Sequence, residues 1–98
     1  MKLHIETEAG RWFEEEMNLS GGEEIQFFVR YGGCGNFQSG FSLGIAQKEA
    51  EEPVCETKEN GVRFYIEEKD AWYLDGADMH VVYDEEKEEI TYVHGSRG

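Results

Sequence analysis

The stretch VRYGGCGNFQSGFSLGI, Val29 to Ile45, decides the fold. It closes one run in which Ile25, Phe27, Val29 and Tyr31 alternate with Gln26, Phe28 and Arg30. It opens a second in which Phe37, Phe41, Leu43 and Ile45 hold the odd positions. A period of two places alternate side chains on opposite faces of a pleated strand, so these are two strands, Glu23 to Tyr31 and Phe37 to Ile45. The glycines around Cys34 lie between them and free the backbone to turn. A thiol set in such a connection is presented to its surroundings instead of packed in a core, which makes Cys34 the candidate functional residue.

Working outward, Ala9, Trp12, Phe13 and Met17 recur at spacings of three and four, the stripe of an amphipathic helix over Thr7 to Met17 with Thr7 as N-cap. Asn18 and the Ser20 to Gly22 segment end it. Beyond the second strand, Asn60-Gly61 signals a tight turn. Val62, Phe64 and Ile66 alternate after it, and EEKDAWYLDG, Glu67 to Gly76, reads as a short second helix or tight turn. Met79 to Tyr83 and Ile90 to Val93 are two more strands. The chain is therefore expected to be mainly β, with about seven short strands in small packed sheets, an N-terminal helix on one side and a minor α contribution. Ile25, Phe27, Val29, Phe41, Leu43, Val62, Phe64 and Ile66 should share one core. The aromatics Trp12, Phe13, Phe27, Phe28, Phe37, Phe41, Phe64, Tyr65 and Trp72 should fill it.

Ninety-eight residues make a single domain, 1–98, without repeats or low-complexity tracts. Twenty-two acidic against nine basic side chains leave a net charge of −13. Such a surface repels nucleic-acid phosphates and anionic lipid headgroups, so neither is an expected partner. The opening MKLHIETEAG lacks the apolar segment of a signal peptide, and no run reaches the roughly 20 apolar residues of a membrane helix. A cytoplasmic location is expected, with Cys34 and Cys55 as free thiols more than about 7 Å apart at Cα. The acidic runs YDEEKEE, Tyr83 to Glu89, and KEAEEP, Lys48 to Pro53, read as solvated connections, since the glycine-turned loop of a calcium site is missing. His80 should face away from Met79 and Val81. No phosphate-cradling loop, dinucleotide fingerprint, zinc spacing or nucleophile-base motif appears, so catalysis is not expected.

In order, the chain shows a short amphipathic helix, a strand, the GGCG of Gly32 to Gly35, an aromatic returning strand, the Gly61-Val62 pair, and YLDGADM at Tyr73 to Met79. From about Leu3 to Val93 this order resembles the HesB-like family, whose best-known branch is the IscA type of iron-sulfur cluster carrier. The resemblance implies the HesB-like fold and the handling of iron or an iron-sulfur cluster through Cys34, which matches the family's loop cysteine. Cluster-carrying members also have a Cys-Gly-Cys pair near the C-terminus. This chain ends ITYVHGSRG and has no cysteine after Cys55, which matches no family ligand. Thiolates commonly supply all four ligands of a [2Fe–2S] unit. One Cys34 per chain would then require a homodimer with additional ligands, and His94 stands where the missing pair would follow. The alternative is a HesB-like domain without metal that serves as a small binding or protein-interaction module.

Overall fold

The computed structural model describes residues 1–32 and 40–95. Among them the elements run β1 (Leu3–Ile5), α1 (Thr7–Glu16), β2 (Glu24–Tyr31), β3 (Phe41–Gln47), β4 (Pro53–Glu59), β5 (Val62–Glu67), a 3₁₀ helix (Glu68–Tyr73), β6 (Met79–Asp84) and β7 (Glu89–His94). They form a four-stranded sheet in the order β3-β2-β5-β4 and a three-stranded sheet in the order β1-β6-β7. The mainly β expectation is met. Two of the seven strands, β1 and β4, escaped the periodicity: β1 is only three residues long, and β4 alternates Cys55 and Thr57 against Glu56 and Lys58, a weakly apolar pattern.

Hairpins account for the antiparallel pairs. The β4–β5 turn places Asn60 at φ 54° and Gly61 at φ 80°, the two left-handed positions of a tight two-residue hairpin, where asparagine and glycine carry the least strain. The β6–β7 hairpin closes through the acidic run read as a solvated connection, with the Asp84 carboxylate accepting from the Glu86 and Lys87 N–H groups at 3.0 and 3.3 Å. The other two pairings are parallel and join distant segments: β1 with β6, Leu3 opposite Met79, and β2 with β5, Ile25 opposite Phe64.

The core lies between the two sheets and α1. Ile25 and Phe27 of β2, Val62, Phe64 and Ile66 of β5, Leu3, Ile5, Met79 and Val81 of the smaller sheet, and Ala9 and Phe13 of the helix are all buried. Val29, Phe41 and Leu43 pack against them half-buried, so the eight residues expected to converge do so. The ring of Phe13 lies 5.9 Å from Phe27 and 4.9 Å from Phe64, and Phe27 reaches Tyr92 of the other sheet at 5.7 Å. These tilted and edge-on contacts avoid the unfavourable face-to-face sandwich.

Three expectations need correction. Thr7 is not the N-cap: Glu6 holds that position in extended conformation and makes no side-chain cap bond. Its N–H instead donates to the Val81 carbonyl at 2.9 Å, so strand pairing fixes where the helix begins. Phe28 faces away from the core and lies over Gly44 of β3, where a Cβ would stand 2.5 Å from its ring. Trp72 is 49% exposed.

The outward face of the larger sheet is not simply polar surface. Connecting β3 to β4 means passing from one sheet edge to the other, and the strap 48–52 makes that crossing over the ends of β2 and β5. Tyr65 donates its hydroxyl to the Lys48 carbonyl, and the Glu67 carboxylate accepts from the Glu51 and Glu52 N–H groups at 2.8 and 2.6 Å. Gln26, Tyr65 and Glu67 are buried as a result. Arg63 pairs with Glu24 at 2.9 Å and with Glu56 beside them, tying three strands together.

Two outcomes are expected. Phe13→Ala should remove about 3–5 kcal/mol of stability, read as a lowered denaturant midpoint, because the ring contacts strands that cannot close over the space. Burial, with Glu67 nearby, pushes the Tyr65 phenol up to about 12. The folded state therefore holds this proton more tightly than an unfolded tyrosine at about 10 does. Its contribution is complete below pH 10 and declines as pH rises toward 12, and Tyr65→Phe should flatten that part of a stability-against-pH curve.

Candidate functional site

Cys34 falls within residues 33–39 and lies outside the described residues, so its exposure and its separation from Cys55 do too. The strands on either side of it are described. Gly32 donates its N–H to the Gly40 carbonyl at 2.7 Å, and Tyr31 stands opposite Phe41 in register, so β2 and β3 remain paired up to the segment that carries Cys34. Pairing with β5 ends sooner. β5 accompanies β2 only from Glu24 to Phe27, whereas β3 accompanies it from Ile25 to Tyr31. The hairpin's far half thus runs beyond the body of the sheet, and burial falls along β2 from complete at Phe27 to exposed at Tyr31.

The projecting half keeps the side-chain alternation of the core, with Val29, Phe41 and Leu43 half-buried and Tyr31 exposed at its end. Tyr31 is 92% exposed although it shares a face with Phe27 and Val29. Its ring lies 5.3 Å from Phe41, Phe41 lies 5.1 Å edge-on to Trp72, and Trp72 lies 6.0 Å from Tyr73. The Tyr73 hydroxyl reaches the Phe41 carbonyl at 3.4 Å, connecting the 3₁₀ helix to β3. An aromatic shelf results at the base of the glycine-rich segment; sequence reasoning placed both Phe41 and Trp72 in the core, and Phe41 packs against it half-buried while Trp72 stands half outside it. The available signal was that Trp72 sits in EKDAW, flanked by charge on its N-terminal side.

The other sequence candidates are dispersed. Cys55 is a free thiol buried against Ile66, and burial pushes its ionisation up, with Glu56 adding to this. That is the opposite of what a reactive or metal-binding thiolate requires. His80 faces away from Met79 and Val81, as expected, with its ring 5.4 Å from that of His4. His94 ends β7 opposite Met79 and is exposed. Among the described residues, no group of three or more His, Cys, Asp or Glu side chains is arranged to hold a metal ion. None of the helices among them is long and apolar enough to cross a membrane.

Acidic groups from two elements meet around Tyr83. Its phenol is pushed up by partial burial and by Glu88 and Glu85 of the β6–β7 turn and Glu15 and Glu8 of α1. Near the helix end, Glu23 accepts from the Ser20 and Gly21 N–H groups at 2.9 and 2.8 Å, which holds its carboxyl below the usual range.

The model of the family described as iron-sulphur cluster biosynthesis matches residues 1–94. The chain belongs to this family. Among curated relatives, a Bacillus subtilis protein named pyruvate dehydrogenase inhibitor is 44% identical over 92 residues, covering 94% of this chain and 97% of its own. An uncharacterised protein of Staphylococcus saprophyticus is 35% identical over 95 residues, with coverage of 94% and 97%. One from Staphylococcus aureus is 31% identical over 97 residues with the same coverage. No solved structure gives a significant match.

Burial of Cys55 predicts a kinetic signature. In a Cys34→Ser background, where Cys55 is the remaining thiol, labelling with a disulfide reagent at pH 8 should be slower in the native protein than in denaturant by on the order of a hundredfold or more, because reaction must await opening of the core.

Proposed function

We propose that this chain is a protein-binding regulator on the HesB-like fold, which restrains an enzyme of the pyruvate dehydrogenase type and catalyses nothing itself. The observation that carries this reading is the 44% identity to the relative named pyruvate dehydrogenase inhibitor, which spans nearly the full length of both chains. That similarity spans 94% of this chain, and inhibition by binding requires a surface and no catalytic site. The charge of −13 suits association with a cationic protein face and argues against nucleic acid as partner. The reading places the chain in the cytoplasm.

The family supports a second reading, in which Cys34 contributes to iron or cluster handling, because the match over residues 1–94 includes Cys34. With one matched thiolate per chain, a cluster as cargo would bridge two copies of the chain, draw its remaining ligands from other side chains or small thiols, and be readily lost.

One set of preparations tests both. Purified chain added to pyruvate dehydrogenase complex should lower NADH formation in proportion to dose, and unchanged activity at roughly tenfold molar excess, well above any saturating ratio for a tight binder, would overturn the regulator reading. Anaerobic reconstitution of wild type beside Cys34→Ser addresses the second: iron and sulfide lost in the variant support it, whereas equal content in both, or no uptake by either, removes Cys34 from cluster handling.

A further inference from the structure

We infer that the aromatic shelf formed by Tyr31, Phe41 and Trp72, with Val29 and Leu43 behind it, is the surface on which this chain holds its protein partner, and that the partner presents there an apolar segment bearing lysine or arginine. This rests on the regulator reading above and adds the place and chemistry of contact.

Tyr31 occupies a core-facing position of β2, yet it is 92% exposed, at the end of the strand that β5 does not accompany. Trp72 is 49% exposed beside it, while Phe13, Phe27, Phe64 and Tyr65 are fully buried. Large aromatic side chains at the surface are the anchors that protein interfaces use most, since each buries much area and loses few rotamers.

Phe41 lies tilted at 5.3 Å from Tyr31 and edge-on at 5.1 Å from Trp72, and its carbonyl accepts from Tyr73. The rings support one another before any partner arrives, so binding spends little on fixing them.

Charge selects the occupant. The 3₁₀ helix carrying Trp72 has Glu68 and the buried Asp70 against the single Lys69, Asp75 follows it exposed, and Arg30 of the hairpin alternates onto the face opposite Tyr31. The chain as a whole stands at −13. An acidic or purely neutral partner gains nothing from this field, whereas a cationic segment is drawn toward it, and Lys or Arg side chains can lie against the exposed faces of Tyr31 and Trp72. A second copy of the chain would meet its own negative charge.

The test measures binding of the chain to intact pyruvate dehydrogenase complex by biolayer interferometry, in about 50 mM and about 300 mM NaCl. Wild type should bind, and more weakly in the higher salt. Tyr31→Ala and Trp72→Ala should each weaken binding at least about tenfold while leaving the circular dichroism spectrum and melting temperature near wild type. Trp72→Phe should restore most of the affinity, and Glu85→Gln in the distant β6–β7 turn should leave it unchanged. Wild-type affinity in folded Tyr31→Ala and Trp72→Ala would overturn the inference while leaving the regulator reading intact. Loss of binding in those variants with no salt dependence in wild type would overturn the cationic partner. No binding by wild type would overturn the regulator reading and this inference with it.

Discussion

The ring of Phe13 is the contact on which the rest of the structure depends. A ten-residue helix has little stability of its own in water, and each of the two small sheets exposes a mainly apolar face until something covers it. Phe13 meets both constraints at once by resting against Phe27 and Phe64, while Phe27 reaches across to Tyr92 of the second sheet. Helix and both sheets therefore share one set of aromatic contacts. The parallel pairing of β1 with β6 adds a second restraint, since it fixes the residue, Glu6, at which the chain leaves the strand and starts the helix.

That arrangement divides the larger sheet into two structurally distinct halves. At one end the strap 48–52 is latched by Tyr65 and Glu67 and covers the outward face so fully that polar side chains become interior. At the other, β2 and β3 continue past the end of β5 as a two-stranded ribbon that carries the residues flanking Cys34. The rigid, doubly covered half supports the projecting one. A binding surface held on such a base combines exposure with order, which loops by themselves seldom provide. The same base would serve either a protein partner at the aromatic shelf or chemistry at Cys34.

Much of this was legible from residue order. The two runs around Val29 to Ile45 give strands β2 and β3, the stripe Ala9, Trp12 and Phe13 gives the buried face of α1, and Asn60-Gly61 gives the β4–β5 hairpin. The resemblance to the HesB-like family, resting on GGCG and YLDGADM, agrees with the family match over residues 1–94. Cys55, read as a side chain packed on or near a strand, is buried in β4, and His80, read as facing away from Met79 and Val81, lies on the outward face of β6. Less legible were β1, too short to show a period, and β4, whose buried positions are held by Cys55 and Thr57 and not by large aliphatics.

What the sequence determined by itself was therefore local: which segments are strands, which face of each is apolar, where the tight turn falls, and the acidity that limits partners. Tertiary structure decided what lies against each face. A period of two assigns Tyr31 to the same side as Phe27, but whether that side is core or surface depends on which distant segments pack against it, and at Phe27 it is core while at Tyr31 it is surface. Gln26, Tyr65 and Glu67 show the converse, since their face reads as solvent in the strand pattern and is buried because the strap from β3 to β4 passes over it. Alternation is a property of neighbouring residues and is written in the chain. Burial is a property of distant segments brought together, and for Tyr31 and Trp72 only the folded molecule shows that it is incomplete.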